Sequence, residues 1–532
     1  MSPLTNITSL ANEVNYGLNT PIYIVGGGSF AIKLANVLID NQLEFEFIDE
    51  FASSLLLERN VYKAHSIPSP LGIFFIAISI DEYALAAISR LAQQGVKKEQ
   101  CLPLKYDSDS IMLGHMFTHN RHKLLELLAQ PLSSVKELES SFYIERNQFF
   151  ESSSAQKKHL IGICCLGRGG GYLGHLGHIP TWLAAHHNTV TLSDSELDLQ
   201  GTMPRFLMGQ SAMNAETSLD LVITAHVFPC SPRQTKKLSF CHMIYDFLLF
   251  NQQTYEHLQQ AQTHYVFLPS SASMKMHQDI CLQNKFENNI VLIPGGYPRH
   301  DNNMRQYHDV CATQLPVDSI LYAPTLSSLP AGNETYACYS IISALQFVPE
   351  ILARFSDKKL IFRPHPEDLA LVKYSLSHPR AQAFAELLAW CEQHPRCEID
   401  VSQQSYLESF ARSALIISDT SSVAFSFALL TGRPVILFSS DHHSLIQDYN
   451  QCQFILDKPK FAHLVNNEND LYQTISELLL STDKSLAHTD FCKSSIFNLG
   501  HSEDYLYQHF DYILQDKRHP DWWYLRDHIE AH

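Results

Sequence analysis

The stretch Asp419-Thr420-Ser421-Ser422 lies between an apolar strand-like run and an apolar helix-like run. A helix start offers free backbone N–H groups and the positive end of the helix dipole, and hydroxyls there add donors for a phosphate. The same residue types also cap helices that bind nothing. Arg363-Pro-His-Pro366 closes another strand-like run, and ligands of open parallel sheets bind at such carboxyl ends. Its arginine supplies forked donors, and its prolines hold His365 in a fixed direction. The plain alternative is a rigid turn. Gly295-Gly-Tyr-Pro-Arg-His-Asp301 follows a third apolar run. It presents Arg299 and Asp301 either as ligand groups or as a structural pair at a hinge.

Two glycine-rich turns extend the set. Gly169, Gly170 and Gly171 lie in the turn Gly167–His178, where bare backbone can approach a phosphate or sugar closely, and His175 and His178 follow within reach. No Gly-Lys-Ser/Thr follows, which excludes a Walker loop. Gly26-x-Gly28-x-x-Ala31, with Asp49 ending the next strand, matches the dinucleotide fingerprint; the rival is a structural or docking domain. His242, at a strand end, is a candidate general base that Asp246 would orient, or else a core histidine. There is no HExxH motif and no Asp-x-Asp pair at a strand end, so no metal site is expected.

Strand–helix–strand alternation positions all of these groups and predicts an α/β protein with parallel sheets. Residues 1–150 read as a Rossmann-like domain with its connector, 155–315 and 316–485 as two further domains, and 486–532 as a helical segment packing across the others. A chain of 532 residues is too long for one core, and a hydrophobic content of 45% lets each unit bury its own. The net charge of −17 argues against non-specific nucleic-acid binding. No apolar run is long enough to span a bilayer, and no secretory signal opens the sequence, so a cytoplasmic protein is expected. The 12 cysteines, none in a CxxC pair, read as reduced thiols.

Taken together, the Gly295–Asp301 loop, Ile320-Leu-Tyr-Ala-Pro-Thr325, Arg363–Pro366 and Ser418–Phe438 give a sequence that resembles the CDP-glycerol glycerophosphotransferases of teichoic-acid and capsule synthesis. The resemblance covers roughly residues 160–510. It implies a GT-B fold, two Rossmann-like domains facing a cleft, with the N-terminal α/β domain as an addition. It also implies CDP-glycerol as donor and a glycan or lipid-linked hydroxyl as acceptor, with no cofactor and with peripheral contact at the inner membrane face. Arg363, His365, Ser421 and Ser422 would surround the donor diphosphate, with Arg299, Asp301, Thr325, Asp419 and Thr420 near it, and His242 and His365 would be the catalytic histidines. Two departures stand out. His242 lacks the family's following Gly and Thr, and Leu326, Ser327 and Ser328 replace the basic residue usual after Thr325. The alternatives are a nucleotide-sugar glycosyltransferase, a UDP-sugar epimerase, and a non-catalytic nucleotide-binding member.

Overall fold

The computed structural model describes residues within 21–103, 149–225, 231–325 and 340–529, with shorter gaps inside these spans that include 166–172, 194–202, 208–216, 242–243, 246–257, 366–367, 370–378, 403–405, 440–451 and 482–485. The chain divides into two compact units. One comprises residues 1–169, 186–220 and 230–234, the other 170–185, 221–229 and 235–532.

In the first unit, β1 (Ile22–Val25), β2 (Glu46–Ile48), β3 (Leu55–Leu56), β4 (Arg59–Tyr62), β5 (Ile73–Ile76) and β6 (Cys101–Pro103) form a sheet ordered β3-β4-β2-β1-β5-β6. Its strands pair in parallel except for the β3–β4 hairpin. Short apolar runs such as Ile73–Ile76 suit a parallel sheet covered on both faces by crossover helices, here α1 (Ser29–Asp40) and α2 (Asp81–Gln93). The hairpin escapes a reading of the sequence because Leu57 and Glu58 turn it at φ 52° and 60°. Asn-Gly or Asp-Gly would ordinarily signal such a turn. The same unit holds β7 (Leu160–Cys165), β8 (Asn188–Ser193) and β9 (Arg205–Leu207), also parallel.

The second unit carries two further sheets. In one, β10 (Leu221–Thr224), β11 (Lys237–Phe240), β12 (Thr263–Leu268) and β13 (Asn289–Pro294) pair in parallel in that order. The other contains β14 (Ser319–Tyr322), β15 (Lys359–Phe362), β16 (Cys397–Ile399), β17 (Ser413–Ser418), β18 (Val435–Phe438) and β19 (His463–Val465). Its order, β16-β15-β14-β17-β18-β19, is that of a doubly wound dinucleotide-type sheet, whose switch point lies between β14 and β17. The α/β class with parallel sheets is therefore as expected, and GT-B proteins carry two such sheets in succession. The C-terminal segment departs from a purely helical reading: β20 (Trp523–Tyr524) adds antiparallel to β13, with Leu292 opposite Trp523.

Four helices of this unit position the candidate site. Ser270 caps α3 (Ser271–Gln283) in a reciprocal box with Ser273. Pro298 opens α4 (Pro298–Ala312), where a missing N–H costs nothing. After them come α5 (Leu407–Arg412) and α6 (Val423–Thr431). The α6 helix is apolar all round because it is buried all round, and it stops at Gly432, φ 63°. Ile244 and Tyr245, which follow β11, and Tyr297, which follows β13, share a core with Leu321 of β14, Phe425 of α6 and Phe454. The Tyr245 ring stands edge-on to Phe425 and Phe454, and its hydroxyl donates to Asp457.

Buried histidines make stability depend on pH. Thr224 donates to Ser239 (2.7 Å), and Ser239 meets the Nε2 of His264 (2.8 Å). Burial, reinforced by the positive Lys237, pushes His264 down to about 3. Burial pushes His277 and His300 down to about 4. Unfolded, each imidazole takes up its proton near pH 6.5. Between there and about 4 the unfolded chain binds more protons, so stability falls as pH falls through that window. The expected loss is at most about 1.4 kcal/mol per pH unit per imidazole. Urea unfolding at about pH 7 and about pH 5 should show it, with a flatter profile in His264→Gln. An unchanged midpoint would contradict it. A second expectation concerns Gly295, where an added Cβ would stand 2.2 Å from the Phe267 ring. Gly295→Ala should lose about 1–3 kcal/mol to overpacking, read as a lower melting temperature.

Candidate active site

At the switch point the chain organises itself around a carboxylate. Asp419, directly after β17, is fully buried and accepts from the backbone N–H of Thr325 (2.8 Å), Ser340 (3.0 Å) and Thr420 (2.6 Å), and from the Ser340 hydroxyl (2.9 Å). Ser418 donates to the Ala323 carbonyl (2.6 Å), tying the same two strand ends together. Asp419 was expected at the donor. Its oxygens instead serve the loops after β14 and β17, because a buried carboxylate needs donors on every side. Thr420 and Thr325 are buried with it. Only the second half of the quartet is partly open: Ser421 Oγ accepts weakly from Val423 N (3.4 Å), and Ser422, the N-cap of α6, makes no side-chain cap bond.

Two strand ends to one side of β14 set Arg363. Ile361 pairs with Glu398 and Phe362 with Ile399, so Arg363 and Asp400 face each other one step further along β15 and β16. Arg363 Nη1 donates to Asp400 Oδ2 (2.6 Å) and Nη2 to the Ser402 carbonyl (2.8 Å), while Ser409 also donates to Asp400 (2.5 Å). The His365 carbonyl accepts from Asp368 N (3.0 Å) and Leu369 N (3.2 Å).

Arg299, in the first turn of α4, donates through Nη1 to His175 Nε2 (2.9 Å), and His175 Nδ1 meets the Tyr297 hydroxyl at 2.6 Å. Tyr406, at the start of α5, receives a hydrogen bond from Asn303 of α4 (2.7 Å), and Ser426 of α6 also bonds to it. The Arg363 guanidinium lies 5.6 Å from its ring centroid. Burial pushes the Tyr406 phenol up, and the charges of Arg299 and Arg363 both pull it back. Both arginines, distant in sequence, thus lie within electrostatic reach of the Tyr406 phenol. Burial likewise raises Tyr297, which lies within electrostatic reach of Tyr406 and of Cys241, just past β11.

The expected Arg299–Asp301 pair does not form. Asp301 is buried and accepts from Gly500 N (2.7 Å), Ser502 N (2.8 Å) and the Ser502 hydroxyl, which anchors the helix Ser502–Leu514. It therefore belongs to the scaffold, although it was expected at the donor. Arg305 and His178 N both bond to Glu503 of that helix, which places His178 in the same anchor. His242, Asp246, Gly169, Gly170, Gly171, Gly28 and Leu326 to Ser328 lie outside the described residues. In the first unit, Gly26 ends β1 at φ 119°, where a Cβ would stand 2.9 Å from the Ala77 carbonyl oxygen. Ala31 is buried in α1, and Asp49, after β2, accepts from Ala52 N (2.7 Å). A Cβ on Gly27 would stand 3.1 Å from Asp49 Oδ2, so the fingerprint's glycine turn and acid are neighbours.

Sequence reasoning missed Tyr406, Asn303 and Asp400. Only Asp400 carried a usable signal, an acid closing a short strand next to Arg363. Among the described residues no three His, Cys, Asp or Glu side chains are placed to hold a metal ion, and no helix is long and apolar enough to cross a membrane.

A sequence profile of the CDP-glycerol:poly(glycerophosphate) glycerophosphotransferases matches residues 237–505. A comparison with functionally curated proteins gives no match. Among solved structures, the wall teichoic acid polymerase TagF with CDPG is 13% identical at a TM-score of 0.47, over 73% of this chain and 97% of TagF. A putative UDP-N-acetylglucosamine 2-epimerase from Listeria monocytogenes is 12% identical at 0.45, over 68% and 98%. The UDP-GlcNAc 2-epimerase from Neisseria meningitidis, bound to UDP-GlcNAc, is 10% identical at 0.42, over 66% and 99%.

The Asp419 clamp is directly testable. Asp419→Ala leaves buried N–H groups without an acceptor and should cost roughly 3–5 kcal/mol in denaturant unfolding. An unchanged midpoint with a weakened donor interaction would return Asp419 to the ligand.

Proposed function

The chain belongs to the CDP-glycerol:poly(glycerophosphate) glycerophosphotransferase family, and from that premise we propose how its groups carry out glycerol-phosphate transfer. The donor is CDP-glycerol and the acceptor a hydroxyl on a growing cell-surface glycan or lipid-linked polymer. The setting is the cytoplasm, with peripheral contact at the membrane when the acceptor is lipid-linked.

The acceptor oxygen attacks the phosphorus that bears glycerol. The bond from that phosphorus to the CMP oxygen breaks, CMP leaves with the electron pair, and the acceptor proton passes to His242. Negative charge grows on the leaving phosphate, so fixed cations and N–H donors aimed there lower the barrier. Arg299, Arg363 and the Ser421–Ser422 start of α6 supply them, with His365 beside the same loop. The observation that carries this reading is the approach to Tyr406 of the Arg363 guanidinium, 5.6 Å from its ring centroid, and of Asn303, 2.7 Å from its hydroxyl, on the helix α4 that also carries Arg299.

Incubation of the full chain with CDP-glycerol and a poly(glycerophosphate) primer should release CMP and lengthen the primer by glycerol-phosphate units in mass spectra. Arg299→Gln should lower kcat/KM by about 10²-fold and Ser422→Ala by about tenfold. Turnover of UDP-sugars in place of CDP-glycerol would overturn the assignment.

A further inference from the structure

The two arginines of the site differ in what holds them. Arg363 is gripped by a carboxylate, so much of its charge is answered within the protein. Arg299 has no carboxylate partner among the described residues; its guanidinium donates to His175 Nε2. An arginine can only donate and stays charged, so the imidazole nitrogen it meets must carry a lone pair. That fixes His175 as neutral, with its proton on Nδ1, and Nδ1–H then donates to the Tyr297 hydroxyl. We propose that His175 is a positioning residue: its neutral Nδ1–H tautomer, held by Tyr297, orients Arg299 while leaving the full positive charge of Arg299 for the donor diphosphate.

The proposal rests on the transferase reading above and adds a division of labour. A carboxylate in place of His175 would fix the guanidinium equally well but would neutralise it and repel the phosphates. A neutral acceptor gives direction without that cost. The imidazole is buried and lies at a ring-centroid distance of 5.9 Å from Tyr297, so packing also restricts its rotation. Tyr297 is raised by burial and remains a phenol able to receive the bond. His175 itself comes from a short helical turn, Leu173–Leu176, far from α4 in sequence, so its pairing with Arg299 is purely tertiary.

The test uses the full chain with two readouts. In CMP release from CDP-glycerol, His175→Phe should lower kcat/KM by about 10²-fold. His175→Gln, which keeps an acceptor near the Nε2 position, should recover it to within about threefold of wild type. In the Arg299→Gln background, His175→Phe should cost no more than about twofold further. Independently of turnover, nitrogen-15 histidine NMR of wild type against His175→Gln should show the His175 ring as Nδ1–H. Additive losses, or a ring protonated on Nε2, would overturn the proposal. Absence of CMP release by the wild type would instead sink the transferase reading, with the tautomer measurement still deciding on His175.

Discussion

The buried carboxylate of Asp419 is the constraint on which the second unit's site depends. A charge without water persists only where donors surround it. Here those donors are backbone groups of Thr325, Ser340 and Thr420, so satisfying one side chain fixes the loops after two adjacent parallel strands. Because β14 and β17 flank the switch point of the sheet, this clamp sets where α6 begins and which way it points. The quartet Asp419–Ser422 is therefore half scaffold and half partly open. Its aspartate and threonine turn inward so that its two serines can lie at a fixed helix start.

The cations are arranged by the same logic of paired strand ends. Arg363 and Asp400 face each other because the parallel register of β15 and β16 leaves no alternative. Arg299 arrives from the other sheet of the unit, on the first turn of α4, and Asn303 one turn later ties that helix to Tyr406. Tyr406 thus joins α4, α5, α6 and the strand-end arginine. Burial keeps its phenol protonated against the opposing pull of the two arginines.

The sequence disclosed what local chemistry controls. Apolar strand runs and helix stops such as Gly432 led to the parallel α/β sheets. It did not disclose contacts that depend on register or tertiary approach. Asp301 follows Arg299 by two residues, which suggested a pair, yet Asp301 meets Ser502 and Arg299 meets His175. Asp419 looked like a ligand because nothing local reveals that its partners lie near residues 325 and 340. The β3–β4 hairpin and the edge strand β20 were hidden for a related reason. One turns through non-glycine residues, and the other is two residues long and exists only because β13 offers it an edge.

The central claim is that separate strand ends and helix starts converge on one diphosphate. A crystal structure of the full chain soaked with CDP-glycerol tests it most directly. Diphosphate oxygens should then lie within hydrogen-bond distance of the Arg299 guanidinium and of the Ser421–Ser422 helix start. A diphosphate seated away from both would contradict it.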